Sequence, residues 1–131
     1  MTIFQVAGRA MSAQLVRMNT TASNLANAGG TTGSAETAYK TMKPVFRTSF
    51  DKLSGMSTVD VERVVTAGEA PTKRYDPDNP MADKDGNIFE AAVDETREMV
   101  DMMETARSYQ NNIEVMNTAK SLIIDTLKLG R

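Results

Sequence analysis

Apolar residues return every three or four positions from Met1 to Asn27. One line runs Phe4, Met11, Met18, Leu25; the other runs Met1, Gly8, Leu15, Ala22. This alternation over nearly four heptads predicts a helix with a coiled-coil seam. Arg9, Gln14 and Arg17 fall off the seam, toward solvent or a neighbour. Gly8 weakens the helix and permits close backbone approach. Asn27-Ala28-Gly29-Gly30 is a strong stop signal.

The pattern then changes. Gly29 to Gly33 starts a flexible connection, after which Tyr39–Phe50 reads as a strand, with Pro44 at an edge or a strand start. Asp51–Met56 contains Ser-Gly and reads as a turn. Ser57–Thr66 alternates at Val59, Val61 and Val64, which predicts a second strand. Ala70–Asn87 is crowded with Pro, Asp, Asn and Gly, and predicts successive turns or an ordered loop.

From Val93 to Leu129 the helical period returns more strongly. One seam carries Met102, Tyr109, Met116 and Ile123; the other carries Met99, Ala106, Ile113 and Leu127, with Lys120 as its polar break. Asp94, Glu95 and Glu98 crowd the first turns while Lys128 and Arg131 flank the end, matching the helix dipole. A helix over this span would reach about 55 Å, too long for the core of a compact globule of this size. Val115, Met103, Leu122 and Ile124 widen its apolar stripe beyond what one partner helix can cover, which implies further partners.

The expected fold is therefore mainly α, with a small β/loop insert and long N- and C-terminal helices pairing as a coiled-coil hairpin. Residues 1–28 and 93–131 would form the terminal helical domain, and 29–92 a β-rich middle domain.

Composition narrows the chemistry. The chain has 131 residues, ten Met, no Trp, no Cys and no His. Disulfides, thiolate nucleophiles, imidazole bases and the zinc sites built from those ligands are excluded. Net charge is −2, so there is no general nucleic-acid footprint. No apolar run suffices for membrane insertion. The N-terminus lacks a basic region followed by a continuous apolar stretch, so it does not read as a cleaved secretory signal.

Two patterns invite chemical readings. Asp83-Lys84-Asp85-Gly86-Asn87 opens like a calcium loop, but Ile88 stands where a glycine is needed, and Asp94 where a bidentate Glu is needed. An Asp-Gly turn before a short strand at Ile88-Phe89 accounts for it better than a calcium-binding module at 83–94. The carboxylates of Asp94, Glu95, Glu98, Asp101 and Glu104 read as a solvated helix face. No phosphate-binding glycine loop accompanies them. The residues point away from an enzyme and from any cofactor.

Thr21–Ala28 (TASNLANA), at the end of the first helix, resembles the signature of bacterial flagellar rod and hook proteins. Ser108–Leu127 resembles the family's C-terminal helix at Tyr109, Asn112, Glu114, Val115 and Asn117-Thr118. Tyr75–Gly86 (YDPDNPMADKDG) is similar to a stretch found in proximal rod proteins. The resemblance implies a structural subunit of the periplasm-spanning rod that transmits motor torque. It implies polymerisation through terminal helices and export by the flagellar type III apparatus without a cleaved signal. The implied partners are copies of itself, other rod subunits and the rod–ring junction protein. A secreted helical adaptor or chaperone is the alternative.

The expected assembly interface comprises Met11, Leu15, Met18, Ala22, Ser23, Asn24, Leu25 and Asn27 on the first helix. On the last helix it comprises Met102, Tyr109, Asn112, Ile113, Met116, Asn117, Ile123 and Leu127. Asn24 and Asn27, one i,i+3 step apart, offer more amide groups than a helix cap uses, and are expected to dock on a neighbour.

Overall fold

The computed structural model describes residues 1–130. Helix α1 spans Ile3–Ala26. Thr2 opens it with a capping box: its hydroxyl accepts from Gln5 N, and the Gln5 side chain accepts from Thr2 N. Strands β1 (Thr31–Thr32), β2 (Met42–Asp51), β3 (Met56–Thr66), β4 (Thr72–Tyr75) and β5 (Asn87–Glu90) follow. Helix α2 spans Glu95–Leu129, with Asp94 as its N-cap and Gly130 as its C-cap. The expected helices and the two long strands stand where the periodicity places them. Strands β1 and β4 fall within segments read as connection and loop.

The balance of the architecture differs from the expected mainly-α coiled-coil hairpin with a small insert. Helix accounts for 45% of the chain and strand for about 24%, in two antiparallel sheets. The strands are also not peripheral to the helices. β2 and β3 form a long hairpin that lies along α1 and runs back toward its N-terminus. Contacts at both ends fix that course: Asn24 bonds Met42, Arg9 lies 3.5 Å from Asp60, and the Met1 ammonium lies 3.0 Å from Asp51. The lengths match, since ten residues of strand and 24 of helix each reach about 35 Å. Helix periodicity cannot foresee this arrangement, because a strand laid along a helix buries a second stripe that the a/d template leaves to solvent.

The smaller sheet, ordered β1-β5-β4, sits where α1 ends and α2 begins. Ile88 of β5 is fully buried there. The Ala91 N–H donates to Gly30 O at 3.0 Å and ties the two junctions together. The loop between β4 and β5 is ordered by its own backbone: Asp76 N donates to Gly86 O, and Asp83 N to Asn87 O. Asp83 Oδ1 accepts from Asp85 N and Asn87 N, so that carboxylate caps a turn. Among the described residues no cluster of three acidic side chains that could hold a metal is present.

Gly86 sits at φ 79°, and a Cβ there would meet Tyr75 Cε2 at 2.9 Å and Pro77 Cβ at 3.1 Å. Gly86→Ala combines a left-handed backbone with a clash and should destabilise the protein by about 2 kcal/mol. Urea denaturation checks this; a loss under about 0.5 kcal/mol would contradict it.

At the hairpin tip, Ser54 Oγ, the Met1 ammonium and Leu53 N all donate to Asp51 and lower its pKa from 3.8 to about 2. A depressed carboxylate contributes stability above its unfolded value and loses it as pH falls through the folded one. Stability should therefore decline between about pH 4 and pH 2. Asp51→Asn should flatten that part of the melting-temperature profile.

A buried amide hub and an uncovered helix face

Asn24 is the least exposed polar residue of α1, at 1%. Its side chain makes four hydrogen bonds. Nδ2 donates to Met42 O at 2.9 Å and to Glu98 Oε2 at 3.1 Å, while Oδ1 accepts from Met42 N at 2.9 Å and from the Tyr39 hydroxyl at 2.7 Å. Toward Met42 the amide behaves as a strand neighbour would, pairing with both the N–H and the C=O of one residue. Toward Glu98 it supplies a donor to a carboxylate only 6% exposed, within the first turns of α2 where the helix dipole also favours negative charge. One side chain thus joins α1, β2 and α2. Tyr39 adds a second link: its hydroxyl, whose one proton goes to Asn24, also lies 3.1 Å from Ser23 Oγ, and the serine O–H donates to it.

From this hub the helices run antiparallel. Arg17 lies 3.5 Å from Asp101 and 4.0 Å from Glu104. At the far end Ile3 shares a groove with Val115, Ala119 and Leu122. The α1 terminus therefore reaches α2 near residue 118, and Lys120–Leu129 extends beyond it by about 15 Å. All ten residues of this overhang are exposed.

The pairing itself is made by small and polar side chains. The buried residues of α1 are Ala7, Ala13, Thr20, Thr21 and Asn24. The least exposed line of α2 runs Glu98, Met102, Thr105, Tyr109, Asn112, Met116. Several of the polar groups satisfy themselves within their own helix. Thr105 Oγ1 donates to Asp101 O at 2.6 Å, Asn112 Nδ2 to Ser108 O, and Thr20 Oγ1 to Arg17 O. A hydroxyl or amide bonded back to its own helix can be buried without a partner from across the seam. An apolarity template passes over such positions: it places Met102, Tyr109 and Met116 on the seam, but sets Met99, Ala106 and Ile113 beside them where Glu98, Thr105 and Asn112 lie.

Large apolar residues are left outside. Met99, Val100, Met103, Ile113 and Val115 are exposed along α2, and Leu122, Ile123, Ile124, Leu127 and Leu129 follow on the overhang. Leu15 and Ala22 are exposed on α1. A Cβ at Gly8 would meet nothing within 4 Å, so the close approach that glycine permits is not used inside the subunit.

Of the sixteen residues expected at an interface, Leu15, Ala22, Ile113, Asn117, Ile123 and Leu127 are exposed. Met11, Met18, Ser23, Leu25, Asn27, Met102, Tyr109, Asn112 and Met116 are half-buried. Asn24 departs most from expectation. It was expected on a docking face beside Asn27, but it points inward and its bonds are made within the subunit. Asn27 also bonds internally, donating to Ser23 O at 2.8 Å. The i,i+3 spacing gave no means of separating these outcomes, because Tyr39 and Met42, which claim Asn24, lie in a segment whose path the spacing does not describe.

Asn24→Ala leaves the Met42 N–H, the Met42 carbonyl and the Glu98 carboxylate without their partner, and should cost about 3 kcal/mol. Asn24→Asp should be at least as damaging, since a carboxylate cannot donate to Met42 O and would face Glu98. Asn27→Ala should cost under about 1 kcal/mol. Chemical denaturation of the three variants tests the order, and equal effects of Asn24→Ala and Asn27→Ala would contradict the hub.

Comparison with known proteins gives a consistent result at both ends of the chain and across its length. Residues 4–33 match the family described as flagella basal body rod protein. Residues 85–129 match the C-terminal family of flagellar basal body rod FlgEFG proteins. Flagellar basal-body rod protein FlgC of Salmonella typhimurium is 44% identical, the alignment covering 100% of this chain and 98% of the relative. The FlgC proteins of Escherichia coli O6:H1 and Yersinia enterocolitica are 42% and 39% identical over the same shares.

Proposed function

Because the chain belongs to the FlgC-like flagellar basal-body rod proteins and is a structural subunit of that rod, we propose that it assembles through the apolar faces its terminal helices leave uncovered. The observation that carries this is the overhang of α2. Its large apolar residues are all exposed, Leu122 only bordering a groove with Ile3, and they lie on more than one side of the helix. A helix apolar on several sides is buried on several sides. Leu127 is 68% and Leu122 62% exposed in the free chain, at a cost that neighbouring subunits would remove.

In this reading the helical ends form the inner, load-bearing layer and residues 29–92 face outward. The interior of the subunit is built to be stiff. The hub fixes the β hairpin and both helices to one another, so torque applied to α2 passes to the hairpin without a flexible joint. The work is mechanical rather than catalytic. The partners are further copies of the chain, other rod subunits and the protein at the rod–ring junction. Export proceeds through the flagellar type III apparatus without a cleaved signal. Among the described residues no helix is long and apolar enough to cross a membrane.

Complementation of a deletion strain tests the reading. Leu127→Asp and Leu25→Asp should abolish motility and yield basal bodies lacking a complete rod. Leu127→Asp should leave the stability of the isolated protein within about 0.5 kcal/mol of the parent, since the residue is 68% exposed and lies beyond the end of α1. Normal motility in the Leu127→Asp strain would defeat the proposal.

A further inference from the structure

Sulfur in this chain is confined to thioether groups, since it has ten Met and no Cys. Met99, Met102 and Met103 cluster in the first turns of α2, and the fold treats them differently. Successive residues of a helix are turned by about 100°. Met102 therefore lies half-buried on the seam line with Thr105 and Tyr109, while Met103, the next residue, is 72% exposed. Met99 stands one i,i+4 step before Met103 and is 57% exposed on the same side. Ala106 and Ile113 continue that side, so the two exposed sulfurs belong to an apolar stripe. The backbone beneath them is held from the seam: Glu98 bonds Asn24, and the fully buried Thr105 bonds Asp101 O. A change of chemistry at Met99 or Met103 leaves those bonds in place.

We propose that Met99 and Met103 are sites of reversible oxidation, and that their oxidation bars an unassembled chain from the rod without unfolding it. The proposal rests on the reading that assembly covers the apolar faces of the terminal helices. The oxidant is a hydroperoxide. The thioether sulfur attacks one peroxide oxygen, an S–O bond forms as the O–O bond breaks, and the other oxygen leaves as water. Sulfur is oxidised and the peroxide is reduced. Methionine sulfoxide reductases, drawing on thiols, reverse the step. The sulfoxide turns a flexible apolar side chain into a polar one. Buried against an apolar partner surface, its oxygen loses water without gaining a donor. Met81, on the loop between β4 and β5, is 50% exposed and open to the same oxidant. It lies in the segment proposed to face outward, where a polar group costs nothing.

The full-length chain treated with hydrogen peroxide, and followed residue by residue by peptide mass spectrometry, tests the chemistry. Met99 and Met103 should oxidise about tenfold faster than Met102, with the circular dichroism spectrum unchanged. Equal rates at Met102 and Met103, or loss of helix as Met103 oxidises, would overturn the assignment. Complementation of a deletion strain tests the consequence. Challenged with peroxide while rods form, the Met99→Leu/Met103→Leu strain should yield about tenfold more complete basal bodies than the parent, since leucine keeps the volume and resists the oxidant. Met99→Gln/Met103→Gln, a permanent polar counterpart, should yield about tenfold fewer without any peroxide. Equal peroxide sensitivity of the leucine variant and the parent, or normal rods from the glutamine variant, would each defeat the proposal. If the glutamine variant builds rods while Leu127→Asp does not, the oxidation switch falls and the assembly reading stands. If both build rods, the assembly reading falls with it.

Discussion

The carboxamide of Asn24 holds together segments that neither sequence proximity nor a continuous apolar core would unite. Its donors and acceptors engage Met42 of β2, Glu98 of α2 and Tyr39 of the connecting segment at once. The core it serves is thin. Ile88, Asn24 and Thr105 are the largest side chains that are fully enclosed. Where hydrophobic burial is this limited, geometry depends on directional bonds, and a buried polar network specifies a single arrangement when all its members are satisfied. The approach of α2 to α1, and the start of the hairpin's path along α1, are both set at this point.

A consequence is a reversal of the usual partition. Small and self-satisfied residues are the most deeply buried in the seam between α1 and α2, with Met102, Tyr109 and Met116 half-buried among them, and many bulky apolar residues face out. An isolated globular protein would place them the other way. The reversal suits a subunit of a continuous structure: in the proposed assembly each chain needs only enough internal contact to fix its shape, because neighbours would cover its larger apolar surfaces. It also exposes the free chain to non-specific association.

Much of this was legible in the sequence and some was not. The extents of α1, β2, β3 and α2 follow from the periods of the apolar residues, and the stop at Asn27-Ala28-Gly29 from its composition. The excess width of the α2 stripe corresponds to surface the fold leaves uncovered, since Met103, Leu122 and Ile124 are exposed. The seam residues on α2 could not be read the same way. Thr105 and Asn112 are polar, and only their bonds to the preceding turn make them fit for burial. Asn24 was singled out as more than a cap, yet its partners are Tyr39 and Met42 across a connection with no periodic signal. The amount of strand was underestimated because β1 and β4 are short and lie among turn-forming residues. The hairpin's place along α1 depends on matched lengths and end contacts rather than on any local pattern.

The central claim is that folding leaves the last third of α2 bare and assembly covers it. Amide hydrogen exchange over Lys120–Leu129, compared between the free protein and purified basal bodies, addresses this most directly. The account predicts rapid exchange in the free chain at low concentration and strong protection in the rod, with Asn24 and its neighbours protected in both. Equal exchange of the overhang in the two states would contradict it.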